Sequence, residues 1–267
     1  MEIAFRILIF IIGACIGSFL CCQARRLHYN LSHKKKLREK RSICLHCKKS
    51  LKWYDNIPIV SWLFLRGKCR QCHRKIGITE ILAELGTATA FLLLSFTVDL
   101  IVHSPLEWAT FIASMVFASV LIFLAIYDGL YGELPTVFLI LSILCAIAVF
   151  SLQTWATLSN THFTVSLVIN PVLSVLILGG LYLALYLASK GKWVGDGDWM
   201  LATAIAIVLN HPFLALATLF IANFTACLIM LPVAKGNTKA KVHFGPFLVI
   251  AFIVTYSLSS YLIMFIS

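Results

Sequence analysis

Apolar positions in this chain run together rather than alternate. Eight stretches are almost free of charge: residues 3–22, 80–98, 107–127, 136–152, 165–188, 199–210, 212–232 and 245–265. Most are near the ~20 residues that a helix needs to cross a bilayer. In lipid the backbone must satisfy its own hydrogen bonds, so the pattern predicts an all-α integral membrane protein of about eight transmembrane helices. The sixth stretch is short, and "NHP" at Asn210–Pro212 divides it from the seventh. That reads as either a tight turn outside the membrane or a kink in one longer element. The first stretch has the length of a signal peptide but lacks a clear small-residue cleavage site, so it reads as a retained helix. No internal repeat or low-complexity tract stands out.

Composition agrees with lipid as the main solvent. The chain is 60% hydrophobic and 12% charged, with a mean hydropathy of +0.93. A soluble domain of 267 residues could not hide that much apolar surface.

The net charge of +11 is concentrated, with 16 of the 22 Lys and Arg residues between Arg25 and Lys75. So basic a block could suggest nucleic acid. The positive-inside rule explains it more cheaply, as a cytoplasmic loop beside anionic lipid headgroups, with no nucleic-acid partner. Placing residues 23–79 inside puts 128–135, 189–198 and 233–244 inside as well. The last two carry Lys190, Lys192, Lys235, Lys239 and Lys241, whereas the outside segments near 99–106 and 153–164 carry no Lys or Arg. Arg6 is the exception to an orientation with both termini outside.

Four of the nine cysteines form two pairs inside the basic loop, "CLHC" at Cys44 and Cys47 and "CRQC" at Cys69 and Cys72. A C-x2-C turn presents two thiolates to one side of a metal, and a second turn completes a tetrahedral zinc site. Neighbouring Lys and Arg favour the thiolates, and a reducing cytoplasm disfavours disulfides. Four thiolates close the coordination sphere, which makes the zinc structural and His46 and His73 bystanders. A redox motif or chance pairing is the alternative. The other cysteines, Cys15, Cys21, Cys22, Cys145 and Cys227, fall in apolar runs as small core residues.

Of the 11 acidic residues, Glu39 and Asp55 belong to the loop, and Glu2, Asp99 and Glu107 lie outside. Glu80 follows Thr79 at a helix start, where a dipole or capping role suffices. Glu84 lies one turn deeper. Asp128 closes the apolar run "VLIFLAIYD", Glu133 follows it, and "GDGD" places Asp196 and Asp198 before the sixth stretch. All four share one membrane face in this topology. They read either as caps and turn residues, or as a carboxylate pair in which one partner activates water and the protonated other polarises a carbonyl. Gly195 and Gly197 would then allow a substrate strand to approach closely. A transporter or channel with intramembrane acids and a zinc-finger regulatory loop is the alternative from another class. The lack of a repeat between halves and the clustering of acids at one face count against it.

Taken in order, these segments resemble the type IV prepilin peptidases, membrane aspartic proteases with a GxGD motif. "GSFLCCQARRL" at Gly17–Leu27 is similar to that family's first motif, and "CLHCKKSLKWYDNIPIVSWLFLRGKCRQCHRKI" resembles its zinc-loop signature. "ILAEL" with Glu84, "AIYDGLYGELP" with Asp128, "GDGD" with Asp198 and "FGPFL" at Phe244–Leu248 follow. The resemblance implies Asp128 and Asp198 as catalytic aspartates and matches Glu84 to a family motif; Gly195, Gly197 and the departing Asp196, like Glu84, are read as supporting residues. It implies cleavage of the short basic leader of prepilins or pseudopilins at the cytoplasmic membrane face. In many members it also implies N-methylation of the new N-terminus with S-adenosylmethionine. The implied domains are a first transmembrane helix at 1–22, a basic zinc loop at 23–79 and a membrane-embedded peptidase core at 80–267. Four positions depart from the family pattern: Cys21 for Asn, Thr136 where Pro-Asp is common, Met200 for Lys, and Asp196 for a neutral residue.

Overall fold

A computed structural model describes residues 2–33, 44, 46–47, 49–98, 104–160, 163–191, 194–234 and 243–264. Glu39, Asp99, Lys192, Lys235, Lys239 and Lys241 lie outside the described residues. The chain forms two compact units, Met1–Ser95 and Phe96–Ser267.

In the first unit a long helix α1 (Glu2–His33) precedes the polar insert, which holds the short helix α2 (Val60–Phe64) and leads to α3 (Ile78–Leu94). α1 continues well past the apolar stretch that ends at residue 22. No glycine or proline breaks the chain from Phe19 to His33, and the basic turn is held to α3. Arg25 Nη1 lies 3.0 Å from Glu80 Oε1, and Arg25 Nη2 donates to Thr79 Oγ1 at 3.0 Å. Glu80 therefore combines a place in the first turn of α3 with an ion pair.

α1 and α3 pack backbone to backbone. Gly13 and Gly17 present a small-xxx-small surface to Ala83, Thr87 and Ala88. A Cβ on Gly17 would lie 2.6 Å from the Ala83 carbonyl oxygen and 3.0 Å from Glu84 Cα, both backbone atoms that cannot swing aside. Gly17→Leu is thus expected to destabilise this unit by about 1–3 kcal/mol, as overpacking does. Gly86, also on α3, has nothing within 4 Å of an added Cβ, so Gly86→Ala is expected to be neutral or mildly stabilising. Thermal unfolding of the two variants in detergent checks the contrast.

The second unit contains α4 (Pro105–Tyr131), α5 (Thr136–Asn160), α6 (Ser166–Val175), a π-helical segment (Leu176–Gly180), α7 (Leu181–Ser189), α8 (Asp198–Leu209), α9 (Pro212–Ala234), α10 (Gly245–Ser257) and α11 (Ser259–Met264). Gly132 ends α4 in a left-handed cap at φ 68°. The residues 165–188 run through α6, the π segment and α7 as one span, despite Pro171. The π segment brings Gly179 against Thr203 of α8, where a side chain would clash.

Six helices, among the described residues, are long and apolar enough to cross a membrane, rather than about eight. α8 and α10, from the sixth and eighth apolar stretches, are shorter apolar helices of 12 and 13 residues. "NHP" resolves as a turn. Asn210 takes a left-handed conformation at φ 49° and caps α8, and α9 begins at Pro212. Both short helices are core elements. Leu201, Ala202, Ala204, Ile205 and Ala206 of α8 are fully buried, as are Leu248 and Ala251 of α10. Such an interior needs no amphipathic stripe.

Candidate active site and metal centre

In the polar insert, backbone geometry gathers the cysteine knuckles. Cys69 N–H donates to Arg74 O at 2.9 Å and His73 N–H returns to Cys69 O at 2.9 Å, while Cys44 N–H donates to Lys49 O at 3.0 Å. Lys68 and Lys75 pair across the second knuckle in a single antiparallel bridge. The Sγ atoms of Cys44, Cys47, Cys69 and Cys72 all lie within 4.8 Å of one another, and those of Cys44 and Cys72 are 3.8 Å apart. A tetrahedron of ~2.3 Å metal–sulfur bonds has sulfur–sulfur edges of about 3.8 Å, so the four thiols fit a metal ion. Neither His46 nor His73 joins the cluster. The backbone N–H groups of Cys72 and Gln71 draw the Cys69 thiol down to about 7, whereas burial pushes that of Cys44 up to about 11, so a bound metal would have to displace the Cys44 proton.

Glu84, buried in α3, accepts the Ile59 N–H on Oε2 at 2.7 Å. Ile59 sits at φ 62°, rare for a β-branched residue. Glu84 therefore fixes the strained residue that starts α2.

In the second unit both motif aspartates are buried, Asp128 at 5% and Asp198 at 8% relative exposure. Asp128 lies in the last turn of α4. Its Oδ2 accepts the Gly245 N–H, the first residue of α10, at 3.0 Å across 117 positions of sequence. A Cβ on Gly245 would sit 2.8 Å from that oxygen, so only glycine admits the carboxylate to the helix N-terminus. Asp198 opens α8, and its Oδ2 accepts the Gly195 N–H at 3.0 Å. It does not cap α8, whose N-cap Gly197 makes no side-chain bond. Instead it ties the helix to the preceding glycine loop. Gly197 is buried against Leu134, which a Cβ would meet at 2.8 Å, so the loop after α4 packs on the loop before α8. Asp196 and Gly195 are exposed.

One residue that the sequence did not single out stands between these segments. Tyr182 of α7 is 3% exposed, and its ring lies 5.4 Å from that of Phe244, the neighbour of Gly245. Its buried hydroxyl has no hydrogen-bond partner among the described residues. An aromatic in an apolar run carries no local signal of such a place.

Fold and site define a multi-pass membrane protein with buried carboxylates at helix ends and a four-cysteine cluster able to hold a metal. A family model, the bacterial peptidase A24 N-terminal domain, matches residues 11–98. A type 4 prepilin-like proteins leader peptide-processing enzyme of Escherichia coli is 42% identical over 37% of this chain, a match spanning 34% of that protein's length. The prepilin leader peptidase/N-methyltransferase of Pectobacterium carotovorum is 30% identical over 78% of this chain and 71% of its own. That of Vibrio cholerae is 27% identical over 96% of this chain and 98% of its own. The chain belongs to the prepilin leader peptidase/N-methyltransferase family. No solved structure matches.

Proposed function

We propose that this chain is an aspartic endopeptidase of the cytoplasmic membrane that removes the short basic leader of type IV prepilins or pseudopilins. The observation that carries the reading is that both motif aspartates are buried at helix ends, Asp128 accepting the Gly245 N–H and Asp198 the Gly195 N–H. In this reading Asp128 and Asp198 share a proton. The ionised partner takes a proton from water as it attacks the scissile carbonyl, and the protonated partner donates to the carbonyl oxygen. Exposed Gly195 leaves room for the substrate backbone beside Asp198, Gly197 supports the site by letting the loop seat on Leu134, and exposed Asp196 is auxiliary. The membrane-embedded core over 80–267 carries this chemistry, and the insert over 23–79, on the cytoplasmic side, carries a structural zinc on Cys44, Cys47, Cys69 and Cys72.

Methylation of the new N-terminus with S-adenosylmethionine is the second activity that the relatives' names attach to this family, and it is part of the proposal. Mass spectrometry of a prepilin incubated with the full chain in liposomes tests both. Loss of the leader mass is expected, with a further gain of one methyl group when S-adenosylmethionine is added. An unprocessed prepilin overturns the peptidase reading, and cleavage without the methyl gain overturns the second activity alone.

A further inference from the structure

The polar insert carries an apolar face that stays exposed among the described residues. Trp53 is 79% exposed, Val60 44%, Leu63 59% and Phe64 84%. A five-residue helix such as α2 has no stability of its own, so what holds it in place is its docking. Gly67 turns back on Trp62, whose ring an added Cβ would meet at 2.9 Å. Ile59 N–H, at the head of α2, is bonded to Glu84.

Glu84 is the seventh residue of α3, about 9 Å along the helix at 1.5 Å per residue. At that level α3 is already a membrane helix, and Ile78, Leu82 and Leu85 around it are exposed at 66%, 61% and 39%. α2 is therefore pinned to the height at which the bilayer begins. Its surroundings are basic, with Lys52, Arg66, Lys68 and Arg70 exposed. Asp55 is the only acidic residue from Cys44 to Ile76; its side chain is 6% exposed and bonded to Arg70 at 2.9 Å.

We propose that Trp53 and the exposed face of α2 form an interfacial anchor that inserts into the headgroup and acyl boundary of an anionic bilayer. Aromatic and branched side chains at that boundary, rimmed by Lys and Arg, have the composition of an in-plane membrane element. The anchor holds the cysteine cluster close to the membrane surface, whichever activity the chain performs. Charge alone would let the loop hover over lipid headgroups, whereas this face requires burial among acyl chains.

The test uses the full chain reconstituted in vesicles of phosphatidylglycerol and phosphatidylethanolamine, with photoreactive p-benzoylphenylalanine at position 64. A second protein carries it at position 53, outside α2, and a control at exposed Ser50. Illumination is expected to give phospholipid adducts at 64 and 53, several-fold above the control and retained in high salt. Adducts no more abundant than at Ser50, or adducts only to a second polypeptide, overturn the anchor.

Discussion

Asp128→Asn and Asp198→Asn are each expected to lower leader cleavage by more than about 10³-fold while leaving the fold in place. The substitution is informative because the amide oxygen of Asn can still accept the N–H that each carboxylate holds, Gly245 in one case and Gly195 in the other. Packing is preserved and only the proton chemistry is lost. Asp128→Ala would do more, leaving the Gly245 N–H buried without its acceptor, at about 1–3 kcal/mol. Asp196→Asn is the internal control, since that carboxylate is exposed and its loss is expected to alter cleavage only modestly. Prepilin processing in liposomes, with thermal unfolding measured alongside, checks all four. Full activity in either Asn variant of a buried aspartate would remove it from the dyad.

The second large effect concerns the metal. Replacement of Cys44 and Cys69 together by Ser is expected to take bound zinc from about one per chain to near zero and to leave the knuckles open to protease. Structural zinc in small peptides contributes apparent binding energies of ~10–16 kcal/mol at neutral pH, most of it folding energy. Among the described residues the insert holds only short regular elements, such as a four-residue turn, a five-residue helix and the Lys68–Lys75 bridge. Thiols must lose protons to bind, so affinity should fall as pH falls. Metal analysis of the purified chain, with limited proteolysis before and after a chelator, reads both outcomes. Unchanged zinc in the double variant would refute the site.

Much of this was legible beforehand, for identifiable reasons. Apolar runs near 20 residues have one physical solution in lipid, so the helices followed. The cysteine pairs were readable because a metal imposes local spacing, and the structure brings all four together. The length of α1 was less legible, since its second half is polar and basic and is held by Arg25 meeting Glu80, a contact 55 positions away. The same holds for Gly245, whose N–H reaches Asp128 from 117 positions downstream. Glycine before proline reads locally as a turn, and only the fold shows which side chain it admits. The π segment is likewise set by what it packs against, namely Thr203.

The short, enclosed α8 has a consequence for how the protein tolerates its surroundings. At 12 residues it is about 18 Å long, little more than half the hydrocarbon thickness. Helices facing lipid adjust to thicker or thinner membranes by tilting. α8 faces mostly protein: eight of its twelve residues are buried and α5, α6, the π segment and α10 pack on it, while side chains such as Val137 and Leu144 of α5 and Phe220 of α9 take exposed positions. The outer helices can lean as acyl chains lengthen or shorten, and Asp198, on a largely enclosed helix, is expected to shift less with bilayer thickness than the exposed faces of α5 and α9.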